Sequence, residues 1–152
     1  MNYQNVLKLI RAKAKEYLQL ELILDRKAKI GTLKTELTQQ TNELETLITE
    51  LKTEIARNDY NLSRLESTNP DYETLKTEYT NDSLALQKEI DRLNNDILKL
   101  KDDYSTKIKH QQEKIMDIEN GKTKVSMAKL NEVSKNYLVK VIDSSLSKLT
   151  LE

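Results

Sequence analysis

Apolar side chains recur at steps of three, four and seven residues along most of the chain. This spacing keeps side chains on one face of a helix. A first stripe runs over residues 30–62 and a second over residues 79–118, with charged and polar residues between the apolar positions. Both stripes predict long amphipathic helices of the coiled-coil type. The predicted core positions are Leu33, Leu37, Leu44, Ile48, Leu51, Ile55, Leu62, Tyr79, Leu86, Ile90, Leu93, Ile97, Tyr104 and Ile108.

The two stripes are irregular in the same way. Read backward from Leu62, the steps are 7, 4, 3, 4, 7, 4 and 3, and read forward from Tyr79 the series is the same. The extra four-residue steps are stutters, which a partner helix must match to stay in register. Only the last pair of facing positions, Ile30 with Gln111, joins an apolar to a polar side chain. The mirrored spacing therefore predicts that the two helices pair antiparallel.

Pro70 is the only proline and lies at the centre of this mirror. Proline ends or kinks a helix and suits the first position of a new one. Asn69 is then the predicted N-cap, and Asp71 and Glu73 place negative charge at the positive end of the helix dipole. We predict a hairpin whose turn lies at about 67–70, with Asn69 and Pro70 at its tip. The alternative is that Pro70 kinks one helix of a parallel two-chain rod.

The two terminal segments are more apolar than a single two-helix seam requires. A helix that is apolar on several sides needs several neighbours. We therefore predict a broader base, a bundle of four or more helices formed by self-association or by docking onto a partner. Its predicted interface residues are Leu7, Ile10, Tyr17, Leu20, Leu24, Leu130, Val133, Tyr137 and Val141.

The two glycines separate segments of different character. Asn120-Gly121 predicts a helix end, because glycine commonly takes the left-handed position that closes a helix. Gly31 predicts a local flex point within or between helices. The predicted organisation has five segments. They are a basic N-terminal helix in the base at 1–29, an ascending arm at 30–66, the tip at 67–70, a descending arm at 71–119 and a C-terminal base helix at 122–152.

Composition supports an ordered, helix-rich chain. Charged residues make up 33% of the 152 residues, and there are only two glycines, one proline and no cysteine. Leu, Ile and Val together number 40, a share above the roughly 20% below which disorder is expected. Without cysteine there is no disulfide framework and no thiolate metal site. We expect an intracellular, soluble protein or a subunit of a large assembly, since neither a signal peptide nor a membrane-spanning segment is apparent.

The net charge is zero, but the charges are unevenly distributed. Residues 30–106 hold nine basic and sixteen acidic side chains, whereas basic residues are in excess on both sides of this range. The basic cluster indicates either solvated helix faces or contact with an acidic partner, which would be protein, anionic membrane or nucleic acid. The residues concerned are Lys8, Arg11, Lys13, Lys15, Lys122, Lys124 and Lys129.

The sequence offers few candidate residues for catalysis, phosphate binding or metal binding. His110 is the only histidine, lies on a polar stretch and has no evident nucleophile or acid beside it. Neither glycine belongs to a phosphate-binding loop, and the acidic residues are spread along helices. Gln40 and Thr41 interrupt the first apolar stripe. They predict a polar layer of the kind that fixes the register between paired helices. We expect no enzymatic activity, no cofactor and no metal.

Taken together, these patterns predict an all-α, long antiparallel coiled-coil hairpin with a helical-bundle base. The expected function is that of a structural or adaptor protein, a rod or spacer anchored in a protein assembly. The expected partners are proteins, with a homo-oligomer, most simply a dimer, or a larger assembly. The alternative is a peripheral binder of membranes or nucleic acid that uses the basic segments.

Overall fold

The computed structural model describes residues 3–122, 131–132 and 135–136, of which 91% are helical. Helix α1 spans Tyr3–Ser63 and helix α2 spans Tyr72–Glu119, and no strand occurs among these residues. The two helices pack against each other as a helical hairpin, so the all-α prediction is confirmed. Most of the predicted C-terminal helix, including Leu130, Val133, Tyr137 and Val141, lies outside the described residues.

Helix α1 continues without a break through Gly31. A glycine in a helix interior costs about 1 kcal/mol relative to alanine, which is small beside the packing along a 61-residue helix. A Cβ atom built at Gly31 meets nothing within 4 Å. The glycine is therefore not required by a close approach of another element.

The chain forms two compact units, one of residues 32–107 and one of residues 1–31 with 108–152. The hairpin unit, residues 32–107, contains the second half of α1 and the first part of α2. Its core is a cluster of buried side chains, and Leu44, Leu51 and Ile55 pack against it. The buried members of the cluster are Ile48, Ile90, Leu93 and Ile97.

Residues 64–71 connect the two helices and include the predicted turn at 67–70. The Asp71 backbone N–H donates to Asn69 Oδ1 at 2.9 Å, and the Tyr72 backbone N–H donates to the Asn69 carbonyl at 3.0 Å. Asn69 thus accepts N–H groups at the entry to α2, but the residue directly before the helix is Asp71, whose carbonyl accepts the Leu75 N–H, and not Asn69 as predicted. Pro70 lies in this connection, two residues before α2 begins at Tyr72, and has no backbone N–H to satisfy.

The terminal unit, residues 1–31 and 108–152, has its own buried side chains. Ala14 and Leu18 are almost completely buried on α1, and Leu22 packs against them. Ile115 and Ile118 are buried on α2.

Helix α2 ends in a glycine cap. Gly121 has φ of 71°, its N–H donates to the Ile118 carbonyl, and the Lys122 N–H donates to the Asp117 carbonyl. This pair of bonds is the Schellman arrangement, which satisfies carbonyls that the helix end leaves open.

Candidate functional site: surfaces for protein contacts

The predicted core positions along the seam between the helices differ in how deeply they are buried. Ile48, Ile90, Leu93, Ile97 and Tyr104 are buried. The other nine predicted core side chains are half-buried. These nine are Leu33, Leu37, Leu44, Leu51, Ile55, Leu62, Tyr79, Leu86 and Ile108.

A polar layer crosses the seam at Tyr104. Gln40 Nε2 donates to the Tyr104 hydroxyl at 3.0 Å, and that hydroxyl donates to Glu36 Oε2 at 3.3 Å. Burial of the ring and the nearby Glu36 carboxylate raise the pKa of Tyr104. Lys107 Nζ lies 4.9 Å from the centre of the same ring. The layer joins α1 to α2 through directional bonds, which an apolar seam alone lacks.

A second polar bond joins the helices in the terminal unit. Arg26 Nη1 donates to Gln111 Oε1 at 3.0 Å in a partly buried position. Gln111 is the polar member of the one mixed pair in the mirrored pattern, and Arg26 lies one turn from its predicted partner Ile30. Arg26 was not among the predicted contact residues, although the isolated polar residue in the stripe was a signal that a partner was needed.

A groove of about 560 Å³ runs beside the seam of the hairpin unit. The seam residues Ile48 and Ile97 line it. Leu98 also lines it and is 65% exposed, the largest exposure among the large apolar side chains of the described residues. The groove therefore offers apolar surface that the hairpin itself does not cover.

Charged and polar side chains form the rims of this groove. Helix α1 contributes Glu45 and Lys52, seven residues apart, and α2 contributes Asn94 and Lys101, also seven residues apart. Three of these side chains are charged, and none of the three makes an ion pair with any residue that the structure describes. They are Glu45, Lys52 and Lys101. Each rim thus carries side chains with unused capacity for ion pairs or hydrogen bonds.

An exposed apolar face lies on α1 in the terminal unit. Tyr17, Leu20 and Leu24 are 44%, 54% and 56% exposed, and their steps of three and four place them on one side of the helix. Leu7 and Ile10, the other predicted base residues on α1, are half-buried. Since Leu18 on the same helix is buried, α1 presents apolar side chains in more than one direction here.

The predicted basic residues are exposed where the structure describes them. Lys8, Arg11 and Lys15 share one helix face by their steps of three and four, and none pairs with an acid in the described ranges. Lys13 pairs with Glu16 at 3.5 Å. Lys122 is exposed next to the α2 cap. Lys124 and Lys129 lie outside the described residues.

The tip carries two pairs of a tyrosine and a cation. Arg64 lies 5.0 Å from the centre of the Tyr60 ring, and Lys76 Nζ lies 5.7 Å from that of Tyr72. Both distances are within the range of a cation–π contact, which organises these side chains at a modest gain in energy.

The described residues contain no cluster of three or more His, Cys, Asp or Glu side chains placed to hold a metal ion. His110 is exposed on α2. Arg92 is paired with Glu89 and, at 3.2 Å, with Asp96, and the Arg92 hydrogen bond lowers the pKa of Glu89.

Along the same described stretch, neither helix has a segment long and apolar enough to cross a membrane.

No protein-family model, no curated protein and no solved structure matches the chain.

Proposed function

We propose that the protein is a non-enzymatic structural or adaptor protein that acts as a rod or spacer in a protein assembly. In this proposal the terminal unit binds a protein partner, either another copy of the chain or a neighbouring subunit. The antiparallel coiled coil of the hairpin unit sets a distance. Helical residues 32–63 of α1 span about 50 Å at about 1.5 Å per residue.

The observation that carries this proposal is the exposed face of Tyr17, Leu20 and Leu24. Full burial of a leucine side chain contributes about 1.5–3 kcal/mol. Because Leu20 and Leu24 are about half exposed, roughly 1 kcal/mol at each is still to be gained by covering them. Apolar residues that lie together on an exposed face are typical of surfaces that bind another protein.

The test compares the mass of the wild-type chain in solution with that of a Leu20→Glu/Leu24→Glu variant, by light scattering. We expect the wild type to associate and the variant to associate at least about tenfold more weakly, since two charges would enter the contact. Leu47→Glu is the matched control, because Leu47 is a leucine of similar exposure, 47%, in the hairpin unit. Equal masses for the wild type and both variants would count against the apolar face as the contact.

A second candidate function rests on the basic face of Lys8, Arg11 and Lys15. Three exposed cations on one side of a helix suit an anionic surface, either membrane or nucleic acid. The test is a salt titration of binding to anionic vesicles and to duplex DNA, with an Arg11→Ser/Lys15→Ser variant as the comparison. Binding that ignores salt, or that survives in the variant, would remove this candidate.

A further inference from the structure

We propose that the exposed apolar face of Tyr17, Leu20 and Leu24 binds the same face of a second copy of the chain, with the two α1 helices antiparallel about a two-fold axis. The inference rests on the proposed function, in which this face is the contact, and it adds the occupant and its orientation. The axis crosses α1 at the level of Leu22, midway between Leu20 and Leu24. All of these residues belong to the terminal unit.

The face continues beyond its three apolar residues in both directions along α1. Lys13 lies four residues before Tyr17. Lys27 and Gly31 lie three and seven residues after Leu24, and all three added residues are exposed. From residue 13 to residue 31 the steps are 4, 3, 4, 3 and 4, which is the spacing of one coiled-coil seam.

This side of α1 is turned away from α2. Arg26, whose guanidinium donates to Gln111 on α2, lies two residues from Leu24 and so about 200° around the helix. Leu18, which is almost completely buried, lies likewise two residues from Leu20. A second α1 can therefore cover Leu20 and Leu24 without displacing α2.

The two lysines disfavour a parallel contact. A parallel two-fold arrangement sets every residue opposite itself, so Lys13 would face Lys13 of the partner subunit and Lys27 would face Lys27 of the partner subunit. Like charges placed opposite each other oppose association. Lys13 has Glu16 as an ion-pair partner, whereas Lys27 makes no ion pair with any residue in the described ranges. The repulsion would therefore be greatest at Lys27.

The antiparallel contact gives the same side chains suitable neighbours. With the axis at the level of Leu22, Leu20 lies opposite Leu24 of the partner subunit. Tyr17 lies opposite Lys27 of the partner subunit, and an ammonium group is attracted to the face of an aromatic ring. Because a two-fold axis repeats each contact, two leucine pairs are flanked by two lysine–tyrosine pairs. The face is thus complementary to itself in this orientation.

Sliding one copy along the other would lose these contacts. A slide of one heptad in either direction places a lysine, Lys13 or Lys27, opposite Leu24 of the partner subunit and separates both lysine–tyrosine pairs. In the proposed register Lys13 instead lies opposite Gly31 of the partner subunit. A Cβ atom built at Gly31 meets nothing within 4 Å, so the long lysine side chain has room to keep its charge in water.

The absence of cysteine from the sequence provides a direct test of the orientation. Tyr17→Cys and Lys27→Cys are made in separate full-length chains, which are oxidised by air oxygen alone and as an equal mixture. In the antiparallel contact position 17 faces position 27, whereas each position lies about 15 Å along the helix from its own copy. We expect a disulfide-linked dimer to form rapidly in the mixture and little in either chain alone.

Lys29→Cys is the matched control, because Lys29 is an exposed lysine that lies two residues beyond Lys27 and so about 200° around α1. Its mixture with Tyr17→Cys should cross-link at least about tenfold more slowly than the mixture of Lys27→Cys with Tyr17→Cys. Equal rates for the two mixtures would overturn the proposal. So would single-cysteine chains that cross-link alone as fast as the mixture, since they would indicate a parallel contact.

The two charges introduced in turn at Tyr17 test the orientation without a cross-link. Position 17 faces Lys27 of the partner subunit, so Tyr17→Glu creates two attractive pairs across the contact and Tyr17→Lys creates two repulsive pairs. We expect Tyr17→Glu to associate at least about tenfold more strongly than Tyr17→Lys, as measured by light scattering. In a parallel contact each charge would face its own copy, so equal association of the two variants would overturn the proposal.

Light scattering of the wild-type chain separates failure of this inference from failure of the proposed function. We expect the wild type to form a dimer. A wild type that associates, while the mixed disulfide between positions 17 and 27 forms no faster than in the control, would leave the proposed contact in place and remove the antiparallel pairing. A wild type that stays monomeric at every concentration would remove both.

Discussion

Gln40 and Tyr104, 64 residues apart in the sequence, are joined across the seam by a hydrogen bond of 3.0 Å from Gln40 Nε2 to the tyrosine hydroxyl. The hydroxyl in turn donates a hydrogen bond to Glu36 Oε2 at 3.3 Å, so it acts as acceptor and donor at once. A tyrosine in a seam needs such partners because its hydroxyl would otherwise lose its bonds to water. The two bonds join Tyr104 on α2 to Glu36 and Gln40, which lie one turn apart on α1.

This geometry predicts a loss of stability at alkaline pH that depends on Tyr104. Burial and the Glu36 carboxylate raise the pKa of Tyr104 in the folded chain above the value of about 10 in the unfolded chain. The neutral Tyr104 hydroxyl therefore contributes to the free energy of unfolding. This contribution is fully present below pH of about 10 and is lost as the pH rises through the folded-state pKa, because the phenolate is disfavoured in the fold. Urea unfolding measured from neutral pH to about pH 11 should show this loss.

Tyr104→Phe is the control, since it keeps the ring and removes the titrating group. At neutral pH it should lower the free energy of unfolding modestly, because the hydrogen bonds at the layer are lost. Above pH of about 10 the difference between the two proteins should shrink. A constant difference across this range would contradict the assignment.

Thr41 should be replaceable with a gain in stability. Its side chain is 9% exposed, and Oγ1 has no hydrogen-bond partner among the described residues. An unsatisfied buried hydroxyl costs about 1–3 kcal/mol, so Thr41→Val should raise the free energy of unfolding by about 1 kcal/mol. Thr38→Val is the matched control, because Thr38 is exposed and its hydroxyl donates to the Lys34 carbonyl at 3.0 Å. A loss of stability in Thr41→Val would show that the hydroxyl has a partner, such as an ordered water.

The same glycine-to-alanine change should have opposite effects on the free energy of unfolding at Gly31 and at Gly121. Gly31 is helical with open space around its Cβ position, so Gly31→Ala should stabilise the protein by about 0.5–1 kcal/mol. Gly121 has φ of 71° in the cap of α2, where an L side chain costs about 1 kcal/mol or more. Gly121→Ala should destabilise, and equal signs for the two variants in urea unfolding would refute this account.

The sequence was sufficient to predict the all-α helical hairpin because the apolar residues recur periodically. Steps of three and four identify the buried face of each helix, and two irregular patterns that mirror each other identify which helices pair. Leu47, Leu84 and Leu98 fall outside both stripes, and all three are exposed. Leucines that do not fit the period of the two stripes were thus a signal for further apolar surfaces on the hairpin.

Other features could not be predicted because they depend on side-chain reach and on burial by distant residues. Arg26 contacts Gln111 from one turn away, since its long side chain spans a distance that step counting treats as a mismatch. Ala14 is fully buried, but a small residue carries little periodic signal of its own. The groove between Glu45 and Lys101 depends on how the helices lie side by side, which spacing along one helix does not contain.

In the hairpin unit, truncation to alanine should lower the free energy of unfolding far more at a buried aliphatic side chain than at an exposed one. Ile90 is 2% exposed in the core cluster, so Ile90→Ala should lower the free energy of unfolding by about 2–5 kcal/mol through lost burial and a cavity. Leu84 is 57% exposed on the same helix, and Leu84→Ala should change the free energy of unfolding by less than about 0.5 kcal/mol. Similar losses for both variants in urea unfolding would mean that Leu84 is covered in solution, for example by another chain.

The turn at the tip should depend on the Asn69 side chain more than on any contact with the rest of the hairpin. Asn69 is exposed, and its Oδ1 accepts the Asp71 N–H at 2.9 Å at the start of α2. Loss of a side-chain oxygen that accepts an N–H at the entry to a helix costs about 1 kcal/mol, so Asn69→Ala should lower the free energy of unfolding by that amount. Asn69→Asp keeps an oxygen at the same place and adds a negative charge at the positive helix end, so it should match the wild type or exceed it. Urea unfolding of the two variants decides the matter, because a loss in Asn69→Asp equal to that in Asn69→Ala would rule out capping as the role of this residue.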